Sequence, residues 1–318
     1  MRGIAVVAVG GNALTREDQE GTPEQIGANA ARVAAGVAGL CRSGWRVVVV
    51  HGNGPQVGNL AIQQEGALDL VPAQPLHSLG AMSQGQLGSV LVLTIDSILG
   101  PGSAVAIVSH MTVDPGDPAF ETPTKPIGPF FSTEQSGALA AERGWIMRED
   151  SGRGYRRVVP SPRPGRLLED AAVAALLADG RVVLAGGGGG VAVTTDASGR
   201  YRGVEAVIDK DAAAARIAGS LKADALILVT GVDAVSIDFG TPQARVVRQL
   251  SIDLAEKHLD EGQFPAGSMG PKVRAAIDFV RSSGGTTVIT SAEHLLDAMD
   301  PASATGTRIV ASSVMSPA

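Results

Sequence analysis

The chain has 318 residues, 44% of them hydrophobic, enough to bury a large core as one α/β domain or as two lobes. A formal net charge of −6 argues against nucleic acid as the main partner, because phosphate-backbone binding needs a concentrated basic surface. The single cysteine, Cys41, excludes an intrachain disulfide and a cysteine-rich metal site, and the absence of a signal-peptide pattern or an apolar run of about 18 residues makes a cytoplasmic, non-membrane protein the expectation.

In chain order, the first element is the uninterrupted run Ile4-Ala5-Val6-Val7-Ala8-Val9, which stops at Gly10-Gly11-Asn12. A β-branched run without alternation reads as a parallel strand buried on both faces. Thr22-Pro23-Glu24-Gln25 offers an N-cap, a proline at the first helical position and a capping-box glutamine, so a helix is expected to about Ser43. Cys41 falls inside it and suits a small buried hydrophobe better than a nucleophile. A second strand, Val47 to Val50, ends at His51-Gly52-Asn53-Gly54-Pro55, and Pro55 opens a helix through about Leu68. Both strands end in glycines, which turn the backbone sharply and bring bare amides close to a ligand. Ligands of open α/β sheets sit at that carboxyl edge. A phosphate-handling cleft is the leading idea, with His51 a candidate substrate contact.

Apolar positions at helical spacing follow from Leu79 to Leu99, then a strand from Val105 to Val108. Between Asp114 and Pro164 prolines crowd the chain, and proline removes ladder donors and breaks helices. This segment is expected to leave the core sheet as a protruding subdomain or lid, with a short hairpin around Trp145 to Arg157. Regular α/β signals return: helix Glu169 to Ala178, strand Val182 to Ala185, helix Asp211 to Ser220 and strand Ala225 to Val229. A helix from about Pro271 to Arg281 and strands at Thr287 to Thr290 and Arg308 to Val310 complete the pattern, which predicts a mostly parallel sheet flanked by helices.

Familiar nucleotide motifs are missing. There is no G-x-x-x-x-G-K-[ST] loop. Gly187-x-Gly189-x-x-Ala192 does follow a strand, with Asp209 downstream, but Val191 to Thr195 reads as strand where a dinucleotide fingerprint needs a helix. No G-x-S-x-G elbow is present, and His77, His110, His258 and His294 lack metal-ligand spacing. The lysines are more informative. Lys125 lies in the stiff segment Pro123-Thr124-Lys125-Pro126-Ile127-Gly128-Pro129. Lys210 lies between Asp209 and Asp211 at a helix start, and Lys272 follows Gly267-Ser268-Met269-Gly270-Pro271 at another. Any one lysine is by itself ordinary solvated surface. Together, beside helix N-termini, they are point charges for phosphate. Asp209 and Asp211 could share a magnesium ion, orient Lys210, or cap the helix. Phosphoryl transfer between two small bound molecules, which needs positioning and charge neutralisation more than a covalent nucleophile, suits these parts.

The ordered set of segments resembles the carbamate kinases of the amino acid kinase superfamily nearly end to end. It comprises Val9-Gly10-Gly11-Asn12-Ala13, His51 to Asn59, Pro123 to Phe130, Val158 to Pro162, Gly203 to Asp211, Thr230-Gly231-Val232-Asp233 and Gly267 to Lys272. The resemblance implies an open three-layer α/β/α sandwich with a mostly parallel sheet. An amino-lobe, residues about 1–200, would take carbamate or carbamoyl phosphate and carry the protruding subdomain at about 114–164. A carboxyl-lobe, about 201–318, would take the nucleotide. It implies a reversible reaction of ADP and carbamoyl phosphate with magnesium, in a homodimer. By position, Gly10, Gly11, Asn12, Gly52, Asn53 and Gly54 would cradle the transferred group. Lys125, Lys210, Asp211 and Lys272 would be catalytic, with Asp211 a possible magnesium ligand. Asp209, Lys210, Thr230, Gly231, Val232, Asp233, Met269, Gly270 and Lys272 would bind nucleotide. Ala8 stands where many superfamily relatives carry a lysine, so Lys125 is the implied replacement charge. Two positions depart from the usual pattern, Val191-Ala192-Val193 after the glycine run and Ser89 in the long helix. A related kinase of glutamate or acetylglutamate, and a non-catalytic nucleotide-binding regulator, are the alternatives.

Overall fold

The computed structural model describes residues 2–16, 18–150, 152–265 and 267–311. Its amino half runs β1 (Ile4–Val9), α1 (Gly11–Leu14), α2 (Pro23–Arg42), β2 (Arg46–His51), α3 (Gly54–Gly66), α4 (Leu76–Leu99), β3 (Ala104–Ala106) and β4 (His110–Thr112). A separate unit follows, made of β5 (Lys125–Phe131), α5 (Thr133–Arg143), β6 (Met147–Glu149) and β7 (Tyr155–Val159). Then come α6 (Asp170–Ala178), β8 (Val182–Leu184), β9 (Val191–Thr195), β10 (Tyr201–Gly203), α7 (Lys210–Ser220) and β11 (Ala225–Val229). The chain closes with β12 (Val235–Ile237), β13 (Arg245–Val247), β14 (Gln249–Ser251), α8 (Ile252–Asp260), α9 (Met269–Ser283), β15 (Thr286–Thr290) and β16 (Thr307–Val310).

The main sheet has the order β14-β16-β15-β11-β1-β2-β8-β3. It is parallel from β15 to β3 and reverses only between β15 and β16. In-register pairing of Val9 with both His51 and Val229 brings the ends of β1, β2 and β11 level. Alternation along the strands feeds two cores. Val6, Ala8, Val48 and Leu228 pack under α7 and α9 through Ala214, Ile217 and Phe279. Ala5, Val7, Val49 and Ile227 face α2 and α4 through Val33, Val37, Leu87 and Leu91. Each buried Val, Leu or Ile contributes about 1.5–3 kcal/mol, so the β-branched runs define a three-layer α/β/α sandwich.

Local signals act as expected at α2, where Thr22 accepts from the Gln25 amide and Gln25 reaches back to the cap backbone. The proline-rich segment does leave the main sheet. Residues 125–159 form a three-stranded sheet, β5-β7-β6, in which β6 and β7 are the expected hairpin. The helix α5 inside it was not expected. It has a capping box of its own, Ser132 with Gln135. This unit seats on α3. A Cβ on Gly58 of α3 would lie 2.2 Å from Gly128 Cα and 2.4 Å from its nitrogen, so β5 lies backbone to backbone on the helix. Ile127 and Val159 pack with Val57, Leu76 and Leu79 in a third small core, and Arg143 pairs with Glu65 of α3. Among the described residues, no helix is long and apolar enough to cross a membrane.

Candidate functional site

Three chain segments meet at the carboxyl edge of β1, β2 and β11. After β1 the chain turns at Gly10 into α1, and after β2 it turns at Gly52 and Asn53 into α3. The turns touch: Gly52 donates to the Val9 carbonyl at 2.8 Å, and a Cβ at position 52 would sit 2.9 Å from the Gly11 nitrogen. The same Cβ would be 3.0 Å from Lys210 Cδ, so the aliphatic stem of Lys210 lies across this turn and only glycine leaves it room. No side chain caps the first turn of α3, which starts at Gly54 on the same edge, so the Gly54 and Gln56 amides there have no side-chain cap partner, and Pro55 between them carries no N–H.

The charged groups arrive from α7 and α9. Asp209 caps α7, its Oδ1 accepting from the amides of Asp211 at 2.9 Å and Ala212 at 3.2 Å. The first two helical residues carry Lys210 and Asp211. Lys210 Nζ donates to Asp211 Oδ1 at 2.8 Å, and Lys272 Nζ, from the first turn of α9, donates to Asp211 Oδ2 at 2.8 Å. Lys125 comes from the start of β5 and donates to Asp209 Oδ2 at 2.7 Å. Lysines from three separate segments therefore converge on two carboxylates, leaving one surplus positive charge.

Asp211 is 2% exposed and Lys272 7%, so their charges are held by each other rather than by water. Burial raises the Asp211 carboxyl, but Lys210 and Lys272 outweigh it and hold the group below the usual carboxylate range. For Asp209 burial acts in the same direction and is outweighed by Lys125 and Lys210. Burial also works against the Lys210 ammonium, yet Asp211 and Asp209 raise it above an ordinary lysine. Lys272 goes the other way. Burial and repulsion from Lys210 exceed the attraction of Asp211 and bring it down to about 8.

The remaining expected residues are placed unevenly. Thr230 follows β11 beside Gly10, its amide bonded to the Thr290 carbonyl at 2.9 Å, whereas Gly231, Val232 and Asp233 are exposed along the rim. Met269 and Gly270 open α9 beside Lys272. Asn12 contributes backbone to α1. Asn53 turns its side chain inward, donating to Ser83 Oγ at 2.9 Å and lying against Gly188. His51 also faces inward: it is buried under Gly187, with Nδ1 3.0 Å from the Gly52 carbonyl, and burial lowers its pKa and favours the neutral ring. The glycine run thus lies behind the turns, packed between His51, Asn53 and the Ile208 carbonyl. Sequence reading overlooked Ser83, the Gly58–Gly128 contact and the Lys125–Asp209 pair. Gly58 inside a helix was the one visible signal. A cavity of about 340 Å³ at the opposite edge of the sheet, lined by Arg46, Asp170, Leu177 and Lys222 among others, holds none of these groups.

A family profile, "Amino acid kinase family", matches residues 3–291. The carbamate kinase of Pyrococcus furiosus is 41% identical over 311 residues, covering 96% of this chain and 98% of its own. Carbamate kinase 2 of Enterococcus faecalis is 43% identical over 301 residues, 92% of this chain and 95% of its own. The solved structure of the Giardia lamblia carbamate kinase bound to AMP-PNP superposes with a TM-score of 0.89 at 37% identity, over 97% of this chain and 98% of that one. The chain belongs to the amino acid kinase family of phosphotransferases and, within it, to the carbamate kinases.

Proposed function

We propose that the chain transfers a phosphoryl group reversibly between carbamoyl phosphate and ADP, giving carbamate and ATP, at the edge where the two glycine turns meet Lys210, Asp211 and Lys272. The observation that carries this reading is the single buried carboxylate of Asp211 holding two ammonium groups at 2.8 Å each in front of the turn amides. Phosphoryl transfer passes through a state whose charge is spread over the equatorial oxygens, so fixed donors that need no reorganisation are the main catalytic requirement. The turns after β1 and β2, Gly10, Gly11 and Asn12 with Gly52, Asn53 and Gly54, would receive the carbamoyl end in the amino-lobe, Gly52 by leaving room for the Lys210 stem rather than through its amide, which Val9 already occupies. Lys272 and the start of α9, with Met269 and Gly270, would hold the nucleotide phosphates in the carboxyl-lobe. Thr230 to Asp233 would line the nucleotide's side. Lys210, between the two, would follow the phosphoryl group as it moves, and Asp211 would keep both lysines charged and aligned. Lys125 would add a third cation from the appended sheet, where Ala8 leaves β1 without one.

Magnesium fits this scheme as part of the nucleotide substrate. Among the described residues no cluster of His, Cys, Asp or Glu forms a cage, and both Asp211 oxygens already accept from lysines. Magnesium commonly keeps its waters and rides on phosphates, which suits a site rich in ammonium groups. Arginine breakdown is one metabolic setting compatible with this reaction, and a cytoplasmic location accords with it. We also place a homodimer contact at the β3 edge of the sheet, where Leu93, Met82 and Val108 are exposed. The direct test is ATP formation from ADP, magnesium and carbamoyl phosphate. Lys272→Ala should reduce turnover at least about 100-fold with the fold intact. Near-normal turnover would remove Lys272 from the site.

A further inference from the structure

We propose that Asp209 is a positioning residue that holds the appended sheet's lysine, Lys125, over the reaction centre, a role that rests on the function proposed above only for its kinetic consequences. The two oxygens of Asp209 do different work. Oδ1 accepts from two backbone amides and starts α7; Oδ2 accepts from Lys125 Nζ at 2.7 Å. One carboxylate therefore ties the first residue of β5 to the helix that carries Lys210 and Asp211. The chain reinforces this end of the small sheet: Lys125 pairs with Val159 of β7, and the next carbonyl, Pro160, accepts from the Val207 amide at 2.9 Å. The other anchor of the unit is the Gly58–Gly128 contact on α3. Lys125 thus sits where the unit meets α7.

Holding Lys125 does not consume it. An ammonium has three N–H donors, and among the described contacts Asp209 takes one, leaving two for phosphoryl oxygens. Three bonds already fall on the carboxylate, two on Oδ1 and one on Oδ2, so most of its acceptor capacity is spent within the protein. The two roles also have different requirements. Capping needs only an oxygen acceptor, which asparagine supplies as well as aspartate. Holding an ammonium in place needs the negative charge, because charge-assisted bonds are roughly twice as strong as neutral ones.

Asp209→Asn separates the two. The cap on α7 should survive, with hydrogen exchange along 210–220 unchanged, while amides in 125–131 and 155–159 exchange faster in the substrate-free protein. Lys125→Met, which leaves the cap untouched, should produce the same local increase. Unchanged exchange at 125–131 in both variants would overturn the proposal, and this arm does not depend on any reaction being catalysed. In the kinetic arm, Asp209→Asn should lower kcat/KM for carbamoyl phosphate by about 10-fold or more. In a Lys125→Met background the same change should matter by less than about twofold, because a residue acting through Lys125 has nothing left to position. Multiplicative losses in the double variant would show that Asp209 acts by a route other than Lys125, through Lys210 or on the nucleotide itself, and would refute the assignment. If the wild type fails to make ATP while exchange behaves as expected, the proposed reaction fails and the tether stands.

Discussion

Replacing Gly58 with alanine should cut activity by far more than the about 1–3 kcal/mol of stability that overpacking costs would explain. The added Cβ would lie 2.2 Å from Gly128 Cα. Unstrained carbon contacts begin near about 3.5 Å, so β5 must retreat from α3 by roughly 1.3 Å. Both partners in the clash are backbone, so no side-chain rotation relieves it. Lys125 lies on the same strand as Gly128, and its 2.7 Å bond to Asp209 cannot tolerate a shift of that size. A misplacement of about 1 Å in a catalytic group costs about 100-fold in rate, which is the expected fall in kcat. The helix itself gains, since alanine favours an α-helix over glycine by up to about 1 kcal/mol. The assay is steady-state ATP formation alongside a thermal melt. Turnover within about twofold of wild type would refute the reasoning, as would a loss of activity fully explained by a lowered melting temperature.

Other outcomes follow from the same geometry. In its proposed role Lys272, brought down to about 8 by burial and Lys210, would have to be protonated to hold phosphate, so kcat/KM, which reports the free enzyme, should fall as pH rises through about 8. Bound phosphates favour the ammonium, so the limb in kcat should move to higher pH, and Lys272→Arg should flatten it; an unmoved limb in that variant would assign it elsewhere. Asp211→Asn leaves Lys210 and Lys272 facing each other without their shared anion and should lower kcat at least about 100-fold, measured in the same assay. Thr22→Ala removes the capping box of α2 and should cost about 1 kcal/mol in denaturant unfolding with kinetics unchanged. Leu93→Glu on the exposed face of α4 tests the proposed homodimer: the wild type should sediment as a dimer and the variant as a monomer, and a monomeric wild type or a variant that stays dimeric would remove that contact.

Most of the sandwich was legible because β1, β2, β8 and β11 are short uninterrupted aliphatic runs buried on both faces, a pattern with little other use. α2 and α7 were equally open to reading through Thr22 and Asp209, whose short side chains cap them. The misses have physical causes. β12, β13 and β14 are three residues each, too short for alternation to stand apart from loop. α5 carried a visible capping box at Ser132 and Gln135, but the surrounding prolines masked it. α8 carried Ser251 as a cap in the same way. The site divides similarly. That Lys210 and Asp211 open a helix is local and readable. That Lys272, sixty-one residues on, shares the carboxylate of Asp211 depends on α9 packing against α7. The inward turn of His51 and Asn53 could not be read from their glycine neighbours, because it is set by the distant run Gly187 and Gly188 pressing against them.

The most direct test follows the phosphorus atom itself. With ADP, magnesium and carbamoyl phosphate, phosphorus NMR should show the carbamoyl phosphate resonance disappearing as the γ-phosphate of ATP grows, only when the protein is present. Carbamoyl phosphate left intact, while the same preparation converts ATP to ADP with glutamate or acetylglutamate, would contradict the account.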